Sequence, residues 1–356
     1  MNSDETVALV STFFENPENA RAGLAAGAAL HEAGEHELAV ALWTLADDAN
    51  GRVRRIKDLD QAPPLWRNLS ALADRELRRF LTALHAGAID DFEAGAATKV
   101  ERLRRAFWPL THASAVRQEI PLQRSLIFHM PDLPARPIEP NARFDWVPAL
   151  EAATASIRAE YQACMDSRAS AQPYVPAGTN ATEWARLSGS LDWSAIHLCQ
   201  NAKRMPAADC FPVTLRALEA VDLVRIDGVP MEIFFSRLKA GAHIPPHHGL
   251  TNTRVTVHLP LIVPENCMIR VARHEHRWRE GCVFAFDDSF EHEAWNRSES
   301  DRTVLIFEAH HPDLAVEERA AIEHAYTARQ RWLDSRRAKL DAWLGKTGGG
   351  ASAETA

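Results

Sequence analysis

Ten residues constrain the fold of this chain more than any other stretch. In residues 254–263, Val255, Val257, Leu259, Leu261 and Val263 alternate with Arg254, Thr256 and His258. A β-strand turns successive side chains to opposite faces, so a period of two gives one face for a core and one polar face. Arginine and histidine between apolar strands suit the lining of a cavity better than an open surface. Shorter β-rich runs surround this strand, at residues 231–235, 268–272, 283–286 and 304–307, with turn residues between them. Such a pattern predicts an antiparallel sandwich or barrel.

The first 130 residues have a different texture. Small and apolar residues recur at spacings of three and four from Arg21 to Ala46, broken at Gly34, and amphipathic helices are predicted at 65–85 and 100–108. Ala28, Leu30, Gly34, Ala39 and Ala46 resemble a tetratricopeptide helix-turn-helix, in which small residues let two antiparallel helices approach closely. The basic clusters 52–57 and 102–105 read as solvated helix faces. Residues 130–137 hold three prolines and predict an inter-domain linker, followed by a helix at 147–165. Ile322, Tyr326, Leu333, Leu340 and Trp343 predict a C-terminal amphipathic helix that packs on the N-terminal helices or forms a homodimer contact. The expected class is therefore α+β. It comprises a helical, tetratricopeptide-like domain (1–129), a β domain with flanking helices (130–314), a C-terminal helix (315–346) and a disordered tail (347–356).

Length and charge narrow the partners. The 356 residues suffice for about two domains. A net charge of −8 argues against nucleic acid. No apolar run reaches the roughly 18 residues that span a bilayer, and the acidic first residues do not read as a secretory signal, so no membrane is expected. Five cysteines without close pairs fit a reducing, cytoplasmic setting. Nine of the 16 histidines fall within residues 243–311, a crowding that points to metal or proton chemistry.

Two of these histidines stand out. His247 follows Pro245-Pro246 and precedes Gly249, and His292 lies 45 residues on, after Asp287-Asp288-Ser289-Phe290-Glu291. Residues 236–252, residues 278–281 running on to 286–296, and residues 302–306 followed by His311-Pro312-Asp313-Leu314 resemble the aspartyl/asparaginyl β-hydroxylase family, three motifs in order across about residues 130–314. The resemblance implies a double-stranded β-helix (jelly roll) and an iron(II)- and 2-oxoglutarate-dependent dioxygenase, using O2 to hydroxylate a side-chain carbon of a peptide, protein or amino-acid-derived substrate.

Carried over residue by residue, the resemblance makes His247 and His292 the iron ligands. Ferrous oxygenases commonly add a carboxylate two residues after the first histidine. Gly249 stands there, as in the family, so a water is expected to complete the shell. His248 would face away from its neighbour. Arg302 matches the arginine that clamps the distal carboxylate of 2-oxoglutarate, Ser236 a hydroxyl supporting that carboxylate, and His258 a residue near the other end of the cosubstrate. Asp287, Asp288 and Glu291 are expected as turn residues that orient the imidazoles. Thr256 departs from the pattern, since the family carries an arginine there that holds an acidic substrate. Two alternatives remain open on the residues: a helical-repeat peptide-binding protein whose β domain keeps metal without turnover, and a cupin-like isomerase or hydrolase.

Overall fold

The small residues of the first fifty positions produce a helix hairpin. Four helices, α1 (Ser3–Glu15), α2 (Ala20–Glu32), α3 (His36–Asn50) and α4 (Pro64–Ala96), follow one another. Gly34, at φ +85°, lets the chain reverse between α2 and α3. A Cβ on Gly27 would stand 2.1 Å from the Trp43 indole, and one on Gly23 would lie 2.6 Å from Ala46, so these glycines set the helix spacing. The computed structural model describes residues 3–114, 117–167, 171–179 and 181–348, and they form two units. The first unites residues 1–97, 111–115 and 324–356. Its core gathers Phe13, Leu24, Leu42, Trp43, Leu77 and Leu81 with Trp332 and Leu340 of the last helix, α7 (Val316–Gly348). The C-terminal helix thus packs on the N-terminal helices, and Trp332 donates its indole N–H to Glu37 at 2.9 Å.

The second unit comprises residues 98–110 and 116–323. The division falls at 97/98 and not at 129/130. Phe107, Trp108 and Phe128 are buried, and Phe107 exchanges backbone hydrogen bonds with His129 at 3.0 and 2.9 Å. That bridge leaves only Glu101–Arg104 helical where a longer helix is expected. The proline-rich stretch is irregular but not a free linker. Met130 is buried and bonded through its N–H and C=O to the Asn252 side chain. Proline forbids regular structure, not burial. The expected helix at 147–165 is two helices, α5 (Val147–Ala152) and α6 (Thr154–Ser167), and the Thr154 hydroxyl donates to Glu151 O between them. In place of the expected tail from 347, α7 continues to Gly348, and residues 349–356 lie outside the described residues.

Eleven strands carry the site: β1 (Ile138–Glu139), β2 (Gln172–Pro173), β3 (Trp193–Gln200), β4 (Glu232–Leu238), β5 (His243–His247), β6 (Arg254–Ile262), β7 (Cys267–Val271), β8 (His274–Arg277), β9 (Phe284–Phe286), β10 (His292–Asn296) and β11 (Arg302–His310). The larger sheet runs β1-β9-β6-β11-β4-β3-β2, and the smaller β8-β7-β10-β5, all antiparallel. From β4 onward, successive strands alternate between the sheets except at the β7–β8 hairpin. This is the winding of a jelly roll. The apolar face of β6 (Val255, Val257, Leu259, Leu261) packs with Leu150, Ile157 and Tyr161 of α5 and α6, which covers the outside of the larger sheet. Burying one such side chain contributes about 1.5–3 kcal/mol, and this fixes the register that turns Arg254, Thr256 and His258 inward. Pro245 and Pro246 sit in β5, an edge strand whose ladder with β10 shifts register between the pairs made by Ile244 and His247, so the missing N–H groups fall at an irregularity.

Candidate functional site

A cavity of about 400 Å³ lies between the two sheets. His247 and His292 meet in its wall because β5 and β10 pair with these two residues directly opposite. Their ring centroids are 4.0 Å apart. Each Nδ1 lies against a backbone carbonyl, His247 on Pro245 O at 2.8 Å and His292 on Phe290 O at 2.9 Å. That contact assigns the proton to Nδ1 and leaves each Nε2 lone pair unprotonated. Burial and the neighbouring ring push His247 down to about 3, and burial pushes His292 down to about 4. Both are therefore neutral, the form in which imidazole binds a metal. The orienting groups are main-chain carbonyls and not the expected carboxylates. Asp287 is tied up by Ser289 and Gln123, and Glu291 pairs with Arg270.

Arg302 is 1% exposed and lines the same cavity. Among the described residues it has no carboxylate partner, and its Nε makes no hydrogen bond. Burial pushes the guanidinium down to about 10, which still leaves it charged at neutral pH. It rests 4.6 Å from the Trp278 ring centroid. Ser236, beside it on β4, accepts from the Trp193 indole at 3.1 Å and from Arg302 Nη1 at 3.5 Å. With both lone pairs engaged, its hydroxyl proton is free for an incoming acceptor. His258 is buried against Trp278 and Phe286 and neutral, with Nδ1 unpartnered. The five residues singled out from sequence (Ser236, His247, His258, His292 and Arg302) thus line one cavity.

Other lining residues escape a reading of motifs. The space beside Gly249 is filled by Asp288, since a Cβ on Gly249 would stand 2.1 Å from the Asp288 carboxyl. Asp288 accepts from the Thr256 hydroxyl at 3.0 Å, while its Oδ1 has no partner. Arg254 Nη1 lies 2.8 Å from Glu308 Oε2. That contact is an ion pair without hydrogen-bond geometry, for Oε2 has no hydrogen-bond partner. Tyr174, Trp184 and Trp193 form an aromatic wall, Trp193 stacked on Tyr174 at 3.9 Å and Trp184 edge-on to His247 at 5.1 Å. For Arg254 the period-two pattern was the signal. For Tyr174 and Trp184 no sequence signal existed.

Burial pushes Glu308 up to about 8 from an ordinary 4.5, in spite of Arg254 beside it. A carboxyl raised in the folded state holds a proton between pH 4.5 and 8 that the unfolded chain has released. Its contribution to stability is complete below pH 4.5 and is lost as pH rises through 8. Glu308→Gln removes this dependence. The unfolding free energy of the variant relative to wild type should therefore rise between pH 5 and 8, by on the order of 3–4 kcal/mol. Denaturant titrations of both proteins across this range check the result, and parallel pH profiles would refute it.

Two antiparallel sheets closed around a cavity with paired neutral imidazoles, in a chain that also has a helical unit, define an α+β protein with a jelly-roll site. Residues 151–312 match the aspartyl/asparaginyl beta-hydroxylase family, and the chain is similar to its members through this region. The human aspartyl/asparaginyl beta-hydroxylase is 38% identical over 134 residues, 37% of this chain and 17% of that protein. Aspartate beta-hydroxylase domain-containing protein 2 of Xenopus tropicalis is 30% identical over 211 residues, 58% of this chain and 55% of that one. The ornithine lipid ester-linked acyl 2-hydroxylase of Rhizobium tropici is 30% identical over 174 residues, 48% and 59% of the two chains. This chain therefore spans between about a sixth and three fifths of these relatives. No helix among the described residues is long and apolar enough to cross a membrane.

Proposed function

We propose that the chain is an iron(II)- and 2-oxoglutarate-dependent dioxygenase that hydroxylates a side-chain carbon of a peptide, protein or carrier-bound amino acid. The observation that carries this reading is Arg302, a buried guanidinium with no carboxylate partner among the described residues, in the same cavity as two neutral imidazoles. A buried cation costs several kcal/mol unless paired, so its site is one made to receive an anion. The donor set fits the group. His247 and His292 would hold iron(II) through Nε2, and imidazole nitrogens suit that ion. Bound iron would supply the redox chemistry that couples decarboxylation of the cosubstrate to oxygen transfer. Arg302 would hold the distal carboxylate of 2-oxoglutarate by charge-assisted hydrogen bonds, and Ser236 would donate its hydroxyl proton to the same group. His258, neutral and partly unsatisfied, lines the same cavity. Anaerobic titration with iron(II) and 2-oxoglutarate tests the reading. A weak visible absorption band and succinate on admitting air are expected, and the absence of both would overturn it.

Thr256 sets a further expectation. It stands opposite Glu308 in the β6–β11 ladder and bonds to Asp288. Its one hydroxyl proton is already given to Asp288 and it carries no charge, a shortfall toward an acidic substrate of roughly 1.5–3 kcal/mol against an arginine. Ordinary aspartyl peptides should be poor substrates, and Thr256→Arg should improve their turnover about tenfold or more. Mass spectrometry for products heavier by one oxygen checks both proteins. Efficient hydroxylation of aspartyl peptides by wild type would sink this expectation.

A further inference from the structure

The cavity is electrically lopsided. Arg302 and Glu308 stand at the two ends of β11, six residues apart and facing the same way, a span of about 20 Å at 3.3 Å per residue. At the Arg302 end there is no carboxylate partner among the described residues. At the other end carboxylates gather. Glu308 and Thr256 are directly opposed in the ladder, so their side chains are nearest neighbours on the cavity face. Asp288 takes the Thr256 hydroxyl, and Glu232 lines the same end, held by Asn201 N–H at 2.9 Å. Against these three acids stand Arg254, with its Nη1 2.8 Å from Glu308, and His197, with its Nδ1 3.6 Å from Glu232. Two buried carboxylate oxygens, Asp288 Oδ1 and Glu308 Oε2, have no hydrogen-bond partner.

An incoming carboxylate would find three acids here and no uncommitted cation to pair with, whereas an incoming cation would draw Glu308 into its charged form. An apolar group would leave the acceptors unsatisfied, at a cost of about 1–3 kcal/mol for each such atom. A cation satisfies both, and the rings of Tyr174 and Phe234, 5.5 Å apart, give an apolar stem a surface to lie on. We infer that the substrate brings an ammonium or guanidinium group on an apolar stem to the Glu308 end of the cavity, with Glu308, Asp288 and Glu232 as the residues that select it. This inference rests on the reading that the cavity is a hydroxylase site and names the class of side chain it takes.

The test is binding, measured by tryptophan fluorescence and calorimetry on the full chain. The probes are capped Gly-X-Gly peptides in which X is lysine, arginine, norleucine or aspartate, and 2-oxoglutarate is titrated separately into the same preparations. The lysine or arginine peptide should bind at least tenfold more tightly than the norleucine one, and the aspartate peptide more weakly than norleucine. Glu308→Gln should erase most of the preference for lysine and improve aspartate, while Glu232→Gln should reduce it by a smaller factor. If Glu308→Gln does not fold, the wild-type peptide series decides alone. Equal or tighter binding of the aspartate peptide, no advantage of lysine over norleucine, or no binding of any peptide would overturn the inference. Should the lysine preference be absent while 2-oxoglutarate binds, the dioxygenase reading survives. A lysine preference without 2-oxoglutarate binding would overturn that reading and leave the cation site standing.

Discussion

Iron binding and succinate formation should vanish together in His247→Ala and in His292→Ala. The two imidazoles occupy directly paired positions on β5 and β10, with ring centroids 4.0 Å apart and each Nδ1 anchored on a carbonyl two residues earlier. Position 249 offers no side chain, so removing either ring leaves one protein ligand from the proposed pair. Second-site partners of metal ligands already matter by 10- to 100-fold, and loss of a ligand itself should exceed that. The rings are buried yet face a cavity, so the alanine variants should stay folded by circular dichroism. Metal analysis and succinate assays on purified variants decide the matter. Stoichiometric iron in either variant would show the ligand assignment to be wrong.

Replacing Arg302 should have two opposite effects. Arg302→Ala should weaken 2-oxoglutarate on the order of 10- to 150-fold, the equivalent of about 1.5–3 kcal/mol for charge-assisted hydrogen bonds, and leave iron binding intact. Arg302→Met should lose the cosubstrate equally but make the ligand-free protein more stable, by roughly 1–3 kcal/mol. It removes a buried cation that no carboxylate among the described residues offsets and keeps an apolar stem against Trp278. Calorimetric binding constants and denaturant midpoints of the two variants provide the check. An unchanged dissociation constant would refute the clamp. A destabilised Met variant would show that the ring contact and the Ser236 hydroxyl fully compensate the buried charge.

The sheet domain was legible because its register is written in short-range alternation. Val255 to Leu261 packs on one side and Arg254, Thr256 and His258 line the other, as a period of two requires. The alternation also brings the histidines, separated by 45 residues, onto neighbouring strands, though nothing in their spacing alone says which strands pair. The helical texture of the first unit was legible, but its helix ends were not. Where 100–108 should continue as helix, Phe107 pairs with His129 instead, a contact between residues 22 apart that no local propensity encodes. The prolines of 130–137 forbid a helix locally, yet the anchoring of Met130 on Asn252 depends on a residue 122 positions away.

By itself the sequence determined the class of fold, the inward face of β6, and the set of side chains (Ser236, His247, His258, His292, Arg302) that share one cavity. The first two follow from periodicity, a local property, and the set of side chains from the resemblance of three ordered motifs to the aspartyl/asparaginyl β-hydroxylase family. Tertiary structure alone decided the electrical character of that cavity. Asp288, expected as a turn residue, fills the space that Gly249 leaves, and Glu308 stands against Arg254 and beside Thr256. The reason is physical. A charge acts through its neighbours in space and through the water it has lost, and both are set only when strands far apart in the chain are brought face to face.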